Sequence, residues 1–281
     1  MGRETVLESL SGGVLRLTLN RPAQKNAFNS VQWRELRDAL AEARASDAVR
    51  AVLLTGAGGA FSAGQDLSEM AQSTTAPAGG EHPFGAFLDE LCAFDKPLVA
   101  AVNGVAVGIG LTILLHCDFV LVARGALLRA PFVTLGVVPE AASSFLLPLV
   151  VGWRAAQELL FGDGWLDAER AAAIGLANRV CAPEELLPQA EARAAALAAL
   201  PPEALRHTKR LLLATRDAEV HAARARGRRF PRARRLAREP GGSARVLREA
   251  PARLREAAQG LGRSSARAAP SRARKRRSRA Q

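Results

Sequence analysis

At 281 residues, 48% hydrophobic and 23% charged, the chain can bury one large core or two smaller ones. No stretch reaches the roughly 18 consecutive apolar residues of a membrane span, which excludes a helical membrane protein. The net charge of +12 is unevenly spread: residues 222–281 hold 20 Lys and Arg against three acids, leaving 19 against 24, or −5, for residues 1–221. The body is mildly acidic, so nucleic acid is not its expected partner.

Residues 13–19 (GVLRLTL) alternate and then meet Asn20-Arg21-Pro22, a strand ended by a turn. Ser30 is the expected cap of a helix with Trp33, Leu36, Ala39, Leu40 and Ala43 on one stripe. Residues 49–55 (VRAVLLT) and 98–102 (LVAAV) are nearly continuous apolar strands, as a sheet covered on both faces requires. Residues 71–83, rich in Gly, Ser, Thr and Pro, read as a surface loop. The apolar stretch Ile109 to His116 predicts a short buried helix, residues 118–122 a strand, and residues 129–140 an irregular turn. Helical patterns follow at about 142–151, 153–161, 167–174 and 190–200, and from Glu203 to about Val220. Strands alternating with helices, then a run of helices, predict an α/β fold with a parallel layered sheet and a helical C-terminal region.

The opening MGRETVLESL lacks a signal layout, and Val6 stands where myristoylation needs Ser or Thr, so cytoplasmic residence is expected. Cys92, Cys117 and Cys181 are odd in number and far apart, and His82, His116, His207 and His221 are equally scattered; neither set predicts a disulfide framework or a metal site. GxSxG, GxxxxGK, HExxH and GxGxxG patterns are absent. What remains is two turns of small residues, 61–67 (FSAGQDL) and 103–110 (NGVAVGIG), and one acid, Glu140, in an apolar loop. Glycines there either let strand and helix pack tightly or let a ligand approach backbone N–H groups. Glu140 either carries protons or opens the following helix, where an acid suits the dipole. Asp66 is expected to cap a helix near Leu67, and Asp118 to be structural. Arg124 and Arg129 are expected at the solvated surface.

The segments LNRPAQKNAF, GAFSAGQDL, KPLVAAVNGVAVGIG, CDFVLVA and LGVVPEAASSFLLP, in this order and spacing, resemble the crotonase (enoyl-CoA hydratase/isomerase) superfamily over roughly residues 5–215. The run from Pro131 to Ser144 is similar to the Δ3,Δ2-enoyl-CoA isomerase branch. The resemblance implies a crotonase spiral of repeated ββα units, an acyl-CoA thioester as substrate, no separate cofactor, and assembly as a homotrimer or dimer of trimers. It implies an oxyanion hole from the backbone N–H groups of Ala63 and Ile109. Ser62, Gly64, Gln65, Asp66, Gly108 and Phe132 would line the substrate channel, with Lys25 and Ala27 near the adenine end of CoA. Hydratases of the superfamily use two glutamates; here Thr112 and Phe132 stand in their places, and Glu140 matches the single glutamate of the isomerases. The expected reaction is migration of a 3-enoyl-CoA double bond to the 2-position; a hydratase-like or ring-acyl-CoA isomerase activity is the alternative.

The expected organisation is a core over residues 1–200, the start of a helical region over 201–221, and an Arg-rich tail over 222–281. The change at about residue 222 is abrupt and favours a shifted reading frame over a nucleic-acid-binding tail, which would make the chain a non-catalytic binder.

Overall fold

The computed structural model describes residues 3–69, 83–162 and 164–229. Two sheets share the core. The larger orders its strands β1 (Val6–Ser11), β2 (Val14–Leu19), β3 (Ala51–Gly56), β5 (Leu98–Val102), β7 (Phe119–Ala123) and β10 (Arg179–Cys181). Only β1 and β2 are antiparallel; the others run parallel. The smaller sheet holds β4 (Ala60–Ser62), β6 (Val105–Val107), β8 (Leu127–Arg129) and β9 (Leu166–Asp167), with only β8 and β9 antiparallel. Each chain pass lays one strand in the large sheet and the next in the small one, then crosses back: β3 and β4 precede α2 (Phe84–Ala93), β5 and β6 precede α3 (Ile109–Thr112), and β7 and β8 precede α4 (Ser143–Val151). This is the spiral of ββα units, and it delivers successive strand-to-helix turns to one edge of the small sheet.

All residues of β3 and β5 are buried, as strands covered on both faces must be. α1 (Ser30–Ala45) buries the expected stripe of Trp33, Leu36, Ala39, Leu40 and Ala43. Phe28 stacks on Trp33 with ring centroids 4.1 Å apart. Opposite, α7 (Pro183–Ala198) buries Leu186, Ala190, Ala194 and Ala198. Small residues let that helix lie close to the strands.

Several expectations are corrected. Asn29, not Ser30, caps α1, its side chain accepting from the Gln32 N–H; Ser30 instead donates to Glu69. The stretch from Ile109 is α-helical only to Thr112 and tightens to 3₁₀ over Ile113–His116. The helix expected from Glu203 to Val220 is two helices, α8 (Pro202–Ala214) and α9 (Asp217–Arg229), which meet at Thr215 and Arg216. α9 crosses the boundary drawn at residue 222: Val220, Ala223 and Arg224 are all buried, at i, i+3 and i+4. Arg224 donates to the Asp89 carboxylate 2.5 Å away and to the Gly85 carbonyl, tying α9 to α2. The tail from residue 230 onward, and the loop read at 71–83 except Pro83, lie outside the described residues.

Arg124 is exposed, as expected, 3.5 Å from Glu169. Arg129 is buried, its guanidinium 5.4 Å from the Trp165 ring centroid. Asp118 is structural, accepting from the Leu98 N–H and from Lys209. Cys92, Cys117 and Cys181 are free thiols. Among the described residues no helix is long and apolar enough to cross a membrane, and no cluster of His, Cys, Asp and Glu could hold a metal ion.

Candidate active site

The two turns of small residues touch. A Cβ on Gly64, whose φ is +92°, would sit 2.7 Å from the Val107 carbonyl oxygen and 3.8 Å from Gly108 Cα. Tight packing therefore explains that glycine. Gly108 answers the other half of the question: its φ is +56°, yet nothing lies within 4 Å of where its Cβ would be. Its bare face looks onto open space at the start of α3, where backbone N–H groups lack helical partners.

The first turn is fastened from behind. Asn26 is fully buried, accepts from the Arg21 N–H, and donates to the carbonyls of Ala57 and Ala60. Ser62 Oγ donates to the Asn26 carbonyl and accepts from the Gly64 N–H. Lys25, at φ 49°, accepts at its carbonyl from the Ala63 N–H, 2.8 Å away. The carbonyl of Ala27 takes a hydrogen bond from Arg21. So Lys25, Ala27, Ser62, Gly64, Gln65 and Asp66 are brought together, but not all in the expected sense. Ser62 is an internal fastener, and the Ala63 N–H is engaged by Lys25 and not free for an oxyanion. Phe28 donates to the Gly64 carbonyl and accepts from the Asp66 N–H, so the Gln65 N–H between them points away from Phe28. Among the described residues the N–H groups of Gln65 and Ile109 have no backbone partner. The Gln65 side chain is turned inward, accepting from Trp33 Nε1.

Asp66 caps as expected, accepting from the Ser68 N–H and hydroxyl, and pairs with Arg21. Burial opposes its ionisation, but the Ser68 and Arg21 hydrogen bonds outweigh it and hold the carboxyl below the ordinary value. It remains an anion in a structural role.

Glu140 is different. Its Oε1 accepts from Thr112 Oγ1 at 2.6 Å, and its Oε2 is enclosed with no partner among the described residues, although the residue as a whole is only partly buried. Burial pushes the carboxyl up to about 7, with the Thr112 hydrogen bond pulling the other way. Asp95 also has a buried unpartnered oxygen, but Arg206 and Arg210 hold it as an anion. Thr112 lies one helical turn after Ile109, so its hydrogen bond sets the Glu140 carboxyl beside the short helix that Ile109 opens. Phe132 is buried, and the Val137 N–H closes onto its carbonyl, shaping the loop that leads to Glu140.

Two of these residues have roles that their residue types alone do not announce. Thr112 marked a missing acid in the sequence; in the structure it holds the acid that is present. Asn26 left one signal, a small amide in a turn, since Asn adopts positive φ more readily than most residues, and here φ is 56°.

A profile described as Enoyl-CoA hydratase/isomerase matches residues 9–232. The chain belongs to the enoyl-CoA hydratase/isomerase family. It is 37% identical over 203 residues to 1,2-epoxyphenylacetyl-CoA isomerase of Escherichia coli (strain K12), covering 70% of this chain and 78% of that one. Enoyl-CoA delta isomerase 2 of Homo sapiens is 34% identical over 236 residues, covering 80% of this chain and 58% of the human protein. A crystal structure of an enoyl-CoA hydratase/isomerase from Pseudoalteromonas atlantica T6c superposes with a TM-score of 0.81 at 38% identity, covering 87% of this chain and 97% of that one. The enoyl-CoA hydratase/isomerase fold and family are thereby fixed, and the match runs ten residues past the point where the tail was expected to begin.

Proposed function

We propose that this chain is an acyl-CoA isomerase that moves the double bond of a 3-enoyl-CoA to the 2-position. One observation carries the reading: Glu140 is a buried, raised carboxyl with one oxygen held by Thr112 and the other free. A carboxylate so placed can take a proton from C2 of the thioester. The C2–H electrons move into a dienolate, whose oxygen the Gln65 and Ile109 N–H groups would hold, each donor worth on the order of 3 kcal/mol of barrier. The same Glu140, now protonated, returns the proton to C4, and the double bond ends between C2 and C3. No atom is gained or lost, so one proton carrier suffices. Hydration instead asks for water activation and carbon protonation together, and Thr112 and Phe132 supply no acid for that pairing.

The family name covers both reactions, so the deciding experiment separates them. The protein is incubated with 3-hexenoyl-CoA and, separately, with crotonyl-CoA, and migration and hydration are followed. Migration without hydration is expected, and Glu140→Gln abolishes it while leaving ligand binding nearly intact. Hydration without migration would overturn the reading.

A further inference from the structure

Ala141 and Ala142, directly after Glu140, both hold left-handed backbone, at φ 51° and 56°. For a residue with a Cβ this costs roughly 1–2 kcal/mol each, so the pair persists only where its surroundings hold it. His116 is one such hold: its Nε2 lies 2.9 Å from the Ala141 carbonyl oxygen, in a buried contact. A carbonyl only accepts, so Nε2 carries the proton. His116 Nδ1 is enclosed and unpartnered among the described residues, so the Ala141 contact is what the ring offers. Ser143 adds its N–H and hydroxyl to the Glu140 carbonyl. Thr112 and His116 are four residues apart on one short helical stretch, so a single rigid segment grips both the Glu140 carboxylate and the peptide that follows it.

We propose that His116 is a positioning residue for the proton carrier: its Nε2–H, donated to the Ala141 carbonyl, holds the Ala141–Ala142 turn and with it the placement of the Glu140 carboxyl. The imidazole stays neutral because burial disfavours its charge, and because Arg216 and Arg224 of α9 and Lys209 of α8 all repel a further cation there. The hydrogen bond to Ala141 favours the charged ring but does not outweigh burial. The inference rests on Glu140 as the proton carrier, so its test begins with a readout that needs no substrate.

Glutamine places its amide nitrogen near the position of Nε2, whereas asparagine is a bond too short to reach. The Glu140 carboxyl is titrated by infrared difference spectroscopy, its band assigned by its loss in Glu140→Gln. In the wild type and in His116→Gln it titrates at about 7. In His116→Asn the released loop lets the carboxyl reach water, and its titration falls towards the ordinary value of 4.5. With 3-hexenoyl-CoA, kcat of His116→Asn falls on the order of 100-fold, the scale of a misplaced group, while KM changes little. His116→Gln keeps wild-type kcat. A wild-type titration and kcat in His116→Asn would overturn the proposal, as would a His116→Gln that behaves like His116→Asn. If the titrations separate as stated but the wild type does not isomerise the substrate, the positioning role stands and the assigned reaction fails.

Discussion

Glu140→Gln tests the electrostatics of the site through stability alone. The folded-state carboxyl titrates at about 7 against a reference of 4.5, because burial disfavours its charge. Below pH 4.5 the group is neutral in both folded and unfolded chains and contributes nothing. Between pH 4.5 and 7 the unfolded chain ionises and the folded one does not, so the folded state loses stability as pH rises. At 1.36 kcal/mol per pH unit the loss reaches about 3 kcal/mol by pH 8. Glutamine has the same shape and can still accept from Thr112, but it never ionises. The variant therefore matches the wild type at pH 4.5 and exceeds it by about 3 kcal/mol at pH 8, or roughly 6–12 °C in melting temperature. Urea unfolding of both proteins at intervals from pH 4.5 to 8.5 measures the difference, and the titration of His116 cancels between them. A difference that stays flat across that range would refute the account of a carboxyl held against ionisation by its burial.

Thr112→Val removes the hydrogen bond that favours the Glu140 anion and leaves burial unopposed, so the pH at which kcat reaches half its plateau moves above that of the wild type; a pH-rate series of both proteins shows it. Gly64→Ala forces a Cβ against the Val107 carbonyl at a positive φ, and about 2 kcal/mol of stability is lost, read by urea unfolding. In wild-type protein His116 stays neutral down to about pH 4 while its unfolded counterpart protonates at 6.5; the stability this provides is present above pH 6.5 and lost as pH falls, by about 3 kcal/mol. His116→Gln flattens that acid limb. A chain ended after His221 loses the buried Ala223 and Arg224 and melts roughly 5 °C below one ended after Arg229, read in a calorimeter.

Much of the fold was legible because its strands are buried on both faces. β3 and β5 announce themselves as apolar runs, and the α1 stripe is regular. β1 was missed for the opposite reason: all but Val6 of its residues are exposed, so no apolar alternation marks it. Its one trace was Gly12-Gly13, both at positive φ, the signature of a two-residue hairpin turn. Of the site, Glu140 could be found because an acid among apolar neighbours stands out. Which backbone N–H of the first turn is free could not, because Ala63 and Gln65 differ only in what faces them across the chain. The Lys25 carbonyl, 38 residues away in sequence, takes one and leaves the other. Arg129 was placed at the surface because its partner, Trp165, arrives only when β9 folds back onto β8.

α9 has a further consequence, for synthesis. Arg224 ties it to α2, and a Cβ on Gly227 would lie only 3.7 Å from the Pro139 carbonyl, so it runs across the loop that bears Glu140. Yet it is the last described segment to leave the ribosome. A nascent chain that has emerged only through α8 carries every residue named in the site but not yet the helix that crosses the acid loop. The residues that cross the Glu140 loop are therefore translated some eighty positions after Glu140 itself.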